Sequence, residues 1–136
     1  MSTEKVFLDA NILFSVAYGS SSLDRLWDLS QKGVCVLLAS NYVIEEASRN
    51  LTTEEQLNKL DICLSNVQTV LEADPYLSCP INLPEKDRPV LMAAISAKAN
   101  YFLTGDLVHF GKHFGKTIMG VKICMARDYL QSKMKV

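Results

Sequence analysis

The sequence predicts an α/β fold built on a short, mainly parallel sheet covered by helices on both faces. Three observations predict it. Continuous apolar runs of strand length, among them "KVFLD" at 5–9, "VCVLLAS" at 34–40 and "YFLT" at 101–104, recur along the chain. Between them lie longer stretches with helical apolar spacing, and strands alternating with helices are the pattern of parallel sheets buried under crossover helices. The 136 residues are also close to the ordinary size of one compact unit, and no Gly/Ser-rich or Pro-rich stretch divides them, so residues 1–136 are expected to form a single domain.

The first strand candidate leads into "ANILFSVAYGSSSLDRLWDLSQKG", which reads as helical segments broken around Gly19 to Ser22. Ser22 is placed to cap the second segment, and Leu23, Leu26, Trp27 and Leu29 supply its apolar stripe. After the run at 34–40, Ser40 or Asn41 is an N-cap candidate for a helix running to about Leu51. Thr52 or Thr53 ahead of Glu55 or Gln56 makes a capping-box pattern, and Leu57, Leu60 and Leu64 give the following helix its apolar face. "VQTVLEA" is a further short strand candidate, followed by the Pro-containing connection "DPYLSCPINLPEKD". Pro89 suits the first turn of the helix "PVLMAAISAKA", with Asn100 at its end. Beyond "YFLT", "LVHFGKHFG" reads as a short helix or turn, "TIMGVKI" as one last short strand, and "ARDYLQSKMKV" as a terminal helix with basic residues in its last turns.

Composition excludes several classes. Hydrophobic residues at 49% and charged residues at 21% are those of a globular chain rather than a disordered one. The opening "MSTEKVFLDANILF" has acidic residues where a secretory signal has a basic run, and the apolar runs are too short to span a bilayer, so a soluble cytoplasmic protein with no membrane association is expected. Cys35, Cys63, Cys79 and Cys124 are scattered, with no C-x-x-C pair and no His at ligand spacing, which signals neither a zinc site nor a disulfide framework. Lys and Arg number 14 against 15 Asp and Glu, so the chain lacks the bulk positive charge of many nucleic-acid binders. That objection weakens if several acids are gathered into one cation-binding pocket, because the rest of the surface is then net basic.

The carboxylates suggest such a pocket. Asp9 closes the first strand and Asp106 follows "YFLT", and in open α/β sheets the ligand crevice lies beyond the carboxyl ends of the strands. Asp87 precedes the Pro89 helix, and Glu46 lies about two turns into the helix after the second strand. Like charges at short range raise one another's pKa, so four acids in one pocket call for a cation, and all-oxygen ligation suits Mg²⁺ or Mn²⁺. Such a metal positions and activates a water for attack on a phosphodiester, and no nucleophilic side chain is then needed. Each acid also has an ordinary reading. Asp9 and Asp87 suit helix caps, Asp106 a turn, and Glu45 and Glu46 a solvated helix face. His109 and His113, beside Phe110 and Phe114, read as core-edge or surface residues outside the catalytic set. Tyr18, Trp27 and Tyr42 read as packing residues rather than base-stacking ones.

In order along the chain, "FLDANILFS", "ASNYVIEEASRNL", "PEKDRPVLMAA" and "ANYFLTGDLVHF" resemble the successive motifs of PIN domains, a likeness that spans most of the chain. The resemblance implies a three-layer α/β/α sandwich and Mg²⁺- or Mn²⁺-dependent hydrolysis of single-stranded or structured RNA. It also implies a homodimer and, as in many small prokaryotic members, a toxin neutralised by an antitoxin partner. It further implies that Asp9, Asp87, Asp106 and Glu46 are the catalytic, metal-holding acids, with Glu46 rather than Glu45 in the family position. Asn11 and Thr104 would be supporting polar residues. No dense basic run adjoins the motifs, so RNA contacts would rest on Arg49, Arg88 and Lys112, with Lys98 and Lys116. Two competing readings remain at this level: a non-catalytic PIN-like module acting through protein or RNA binding, and a phosphohydrolase with a strand-end Asp nucleophile. "DAN" lacks the second acid that would favour the latter.

Overall fold

The computed structural model describes residues 3–134. Its strands are β1 (Glu4–Leu8), β2 (Cys35–Ser40), β3 (Val67–Val70), β4 (Tyr101–Leu103), β5 (Thr117–Ile118) and β6 (Val121–Cys124). They form one six-stranded sheet in the order β3-β2-β1-β4-β6-β5, parallel throughout except for the β5–β6 pair. The helices are α1 (Ala10–Tyr18), α2 (Asp24–Gln31), α3 (Asn41–Arg49), α4 (Glu54–Leu64), α5 (Arg88–Ser96), α6 (Leu107–Phe110) and α7 (Ala126–Met134). Successive strand residues point to opposite faces, and Val6, Phe7 and Leu8 are all fully buried, so helices cover the sheet on both sides. The predicted α/β/α sandwich is therefore the observed one.

The chain runs outward from β1 through β2 to β3 and then returns to place β4 on the other side of β1. The central strands β1 and β4 thus flank a topological switch point, where the connections leave the sheet in opposite directions and a crevice opens beyond the strand ends. Asp9 and Thr104 are the first residues past those ends. Among the described residues no helix is long and apolar enough to cross a membrane.

Local chemistry explains most boundaries. Thr53 and Gln56 form the predicted capping box of α4, with Gln56 N donating to Thr53 Oγ1 at 3.1 Å and Gln56 Oε1 accepting from Thr53 N at 3.3 Å. Pro89 occupies the first turn of α5, where its missing N–H costs nothing. The Trp27 indole donates to Cys63 O at 2.9 Å and pins α2 to the end of α4.

Five local expectations need correction. Ser22 lies in a single 3-10 turn, Ser21–Leu23, and its hydroxyl pairs with that of Ser20, so α2 begins at Asp24 without a Ser22 cap. The Ser40 hydroxyl does not cap α3; Glu72 Oε2 accepts from Tyr42 N at 3.0 Å and takes the orphan donor instead. That helix ends at Arg49 rather than near Leu51, and β3 stops at Val70, three residues before the end of "VQTVLEA". "TIMGVKI" is a two-stranded hairpin, not one strand, because Met119 (φ 50°) and Gly120 (φ 88°) both take the left-handed conformation that a tight two-residue turn demands.

Candidate metal centre

Asp9 sits where β1 ends, in extended conformation, as the N-cap of α1, and its Oδ1 accepts from Ala10 N at 2.8 Å. Its Oδ2 accepts from Thr104 Oγ1 at 2.8 Å and from Asn11 Nδ2 at 3.1 Å. The two predicted supporting residues tie the ends of β1 and β4 together. Asn11 Nδ2 also donates to Thr104 Oγ1 at 3.1 Å, Asn11 Oδ1 accepts from Gly105 N at 2.8 Å, and Thr104 Oγ1 accepts from Asp106 N at 3.1 Å. The cap reading of Asp9 and the site reading are thus compatible, since capping uses one carboxylate oxygen and fixes the other.

Asp106 caps α6, its Oδ1 accepting from His109 N at 3.0 Å, while His109 Nδ1 lies 2.8 Å from Asp106 Oδ2. Asp87 occupies the N-cap position of α5 but makes no side-chain cap bond. His109 Nδ1 is also 2.9 Å from Asp87 Oδ2, a close contact that is not a hydrogen bond, and that buried oxygen has no hydrogen-bond partner among the described residues. One ligand atom from each of Asp87, Asp106 and His109 lies within 4.8 Å of the other two. His109 was expected at the core edge or surface; the structure places it half-buried between two of the site acids. The sequence signal was its spacing from Asp106, cap residue to third helical residue, which brings the ring back over the carboxylate. His113 is buried as a core-edge residue, and burial followed by the charges of Lys112 and Lys116 pushes its pKa down.

Glu46 and Glu45 diverge. Glu46 lines a cleft of about 310 Å³ with Ala10, Asn11, Phe14 and Asn50, on the Asp9 side of α3. Glu45 lines a different, mostly apolar groove with Tyr42, Glu72 and Met92. That groove is the more enclosed hollow, but it lacks the convergent acids, so the chemistry belongs to the Asp9 side.

The electrostatics follow the geometry. Burial pushes the Asp9 carboxyl up to about 6; the Thr104 and Ala10 hydrogen bonds oppose this, and the charges of Glu46 and Asp87 add to it. Burial also raises Asp87, with His109 and Lys86 working against the shift. Buried acids that repel one another, one with an orphaned oxygen, suit a divalent cation, and their oxygen donors match Mg²⁺ or Mn²⁺. Asp87 and Asp106, with a ligand oxygen from each within 4.8 Å of the other, stand where they would hold it, and Asp9 is near enough to Asp87 to feel its charge.

The predicted basic contacts divide. Arg88 and Lys112 line a cleft of about 420 Å³ together with His109, directly beside the acids. Arg49 is exposed near the end of α3, its Nε donating to Glu45 O at 3.4 Å. Lys98 lies beyond the last turn of α5, whereas Asp87 lies before its first, so Lys98 stands roughly 15 Å from the site at 1.5 Å per residue.

A mainly parallel α/β sheet with carboxylates near the ends of its central strands sets the class of this protein. The chain belongs to the PIN domain family, whose family model matches residues 5–108. No curated protein matches its sequence. Among solved structures, a chain in the crystal structure of VapBC2 from Rickettsia felis bound to a DNA fragment from their promoter shares the fold. It superposes with a TM-score of 0.59 at 17% identity, over 88% of this chain and 96% of that one.

Proposed function

We propose that this chain is an endoribonuclease that hydrolyses phosphodiester bonds of RNA with Mg²⁺ or Mn²⁺, and that residues 1–136 act as one catalytic domain. The observation that carries the reading is the buried, unsatisfied Asp87 Oδ2 beside Asp106 and close enough to Asp9 to raise its pKa. Unpaired buried carboxylate oxygens are costly and persist where a ligand satisfies them.

Bound there, the cation supplies Lewis acidity at the phosphate and eases deprotonation of the attacking water. Asp9, Asp87 and Asp106 hold it, and Asn11 and Thr104 keep Asp9 Oδ2 aimed at the crevice. Glu46, on α3 in a cleft with Ala10 and Asn11 and near enough to Asp9 to raise its pKa, would serve as a further ligand or orient that water. Arg88 and Lys112 bind the RNA phosphates in the neighbouring cleft, and Arg49 contacts the strand on the α3 side. The near-neutral overall charge is then a sum over an acidic pocket and a more basic surround. We extend the fold shared with a VapBC2 chain to a biological role: a homodimeric, cytoplasmic toxin held silent by an antitoxin.

Calorimetric titration of the wild type and Asp9→Asn with Mn²⁺, with cleavage of a generic single-stranded RNA followed in the same buffers, tests the reading. Binding and cleavage that both fall in the variant support it. A folded wild type that binds no metal overturns it in favour of a partner-binding module.

A further inference from the structure

We propose that His109 Nδ1 is itself a ligand of the cation, completing an Asp87–Asp106–His109 set whose nitrogen donor selects Mn²⁺ over Mg²⁺. This rests on the functional reading above and adds a residue and a metal preference to it.

The geometry comes first. Around a six-coordinate cation with bonds of about 2.1 Å, adjacent ligands stand about 3 Å apart and opposite ones about 4.2 Å. His109 Nδ1 is 2.8 Å from Asp106 Oδ2 and 2.9 Å from Asp87 Oδ2, and the three ligand atoms fall within 4.8 Å of one another. The imidazole therefore sits at near-equal distance from both carboxylates, as a third donor at one centre does. A ring serving only to orient Asp106 has no need to crowd Asp87, whose nearer oxygen it leaves without a hydrogen bond.

The ring is also held in place by the backbone. Asp106 Oδ1 accepts from His109 N at 3.0 Å, so the carboxylate and the imidazole are fixed by the same turn of α6. A neutral imidazole carries one N–H. Moving that proton from Nδ1 to Nε2 frees the Nδ1 lone pair with no net gain or loss of protons, and the residue lines the cleft it shares with Lys112 and Arg88. Carboxylate oxygens alone serve Mg²⁺ and Mn²⁺ comparably, whereas an imidazole favours the transition metal.

Electron spin-echo spectroscopy of the wild type loaded with Mn²⁺ alone reads nitrogen ligation directly. The expected result is imidazole ¹⁴N modulation that shifts on ¹⁵N-histidine labelling, persists in His113→Gln and is lost in His109→Gln. In His109→Gln the affinity for Mn²⁺ should also drop roughly tenfold or more while that for Mg²⁺ changes less than about threefold. Mn²⁺ bound by the wild type without imidazole modulation, or modulation surviving in His109→Gln, overturns the proposal and leaves the carboxylate site standing. A wild type that takes up no Mn²⁺ overturns both readings.

Discussion

Replacing Asp9 by Asn should make the metal-free protein more stable near neutral pH while abolishing its hold on metal. Asp9 is only 7% exposed, and its carboxyl is raised from an ordinary 3.8 to about 6. A folded pKa above the unfolded one means the folded state binds the proton more tightly. The ionised carboxylate therefore costs stability in full above pH 6, about 3 kcal/mol from that difference, and the cost fades as pH falls from 6 toward 3.8. Asn is neutral and nearly isosteric, but it repairs the site imperfectly. With its oxygen kept on Ala10 N, its amide faces Thr104 Oγ1 and the Asn11 amide, and two donors then meet, losing one hydrogen bond worth about 1 kcal/mol. The net expectation at pH 7.5 in EDTA is a gain of about 1–2 kcal/mol, roughly 3–6 °C in Tm for a chain of this size. The gain should shrink to nothing or reverse by pH 4.5. Saturating Mn²⁺ should invert the order at pH 7.5, since a ligand at a hundred times its Kd adds about 2.7 kcal/mol to the wild type alone. Urea unfolding followed by circular dichroism at both pH values is the assay. A variant equally destabilised at pH 7.5 and 4.5 would refute the claim that the pocket carries an uncompensated charge.

Glu46→Gln should lower RNA cleavage at least a hundredfold with Mn²⁺ affinity reduced much less, whereas Glu45→Gln, facing the other groove, should cleave within about twofold of wild type; single-turnover kinetics separate them. Asn11→Ala removes two donated bonds and one accepted bond between the ends of β1 and β4, and should cost about 2 kcal/mol in urea unfolding along with weaker Mn²⁺ binding by calorimetry. Trp27→Phe removes the indole bond to Cys63 O, which keeps its bond from Asn66 N at 3.1 Å, and should cost about 1 kcal/mol, again read by urea unfolding. Met119→Asn places the preferred Asn-Gly pair in the β5–β6 turn and should raise stability by roughly 0.5 kcal/mol, measured as the shift in urea midpoint.

The sheet and the strand-end positions of Asp9 and Asp106 were legible because each rests on a pattern of several residues. Continuous apolar runs marked β1, β2 and β4, and the strand-end placement of Asp9 and Asp106 brought them to one crevice. What escaped depends on single side chains choosing among local partners. Met119 carries no turn preference, so only Gly120 hinted at the hairpin. Ser22 and Ser40 are good caps by type, but Ser22 pairs with Ser20, and Glu72, distant in sequence, takes the donor at α3. His109 lay next to Phe110, and although its spacing from Asp106 was readable, its closeness to Asp87 is set by the loop that delivers that acid. Glu45 and Glu46 are adjacent and alike in type, so only the family likeness favoured Glu46, and α3 then turns the two toward different grooves.

Tyr42 touches both ends of the long irregular connection between β3 and α5. Its N–H meets Glu72 just after the connection begins, and its hydroxyl donates to Lys86 O at 3.2 Å just before Asp87. The residue is a buckle on a strap. A protease cut anywhere in 75–80 leaves two loose tips whose roots remain fastened to the helix that bears Glu46, so a nicked chain keeps its acids assembled and the same segment tolerates a lengthened or shortened tip.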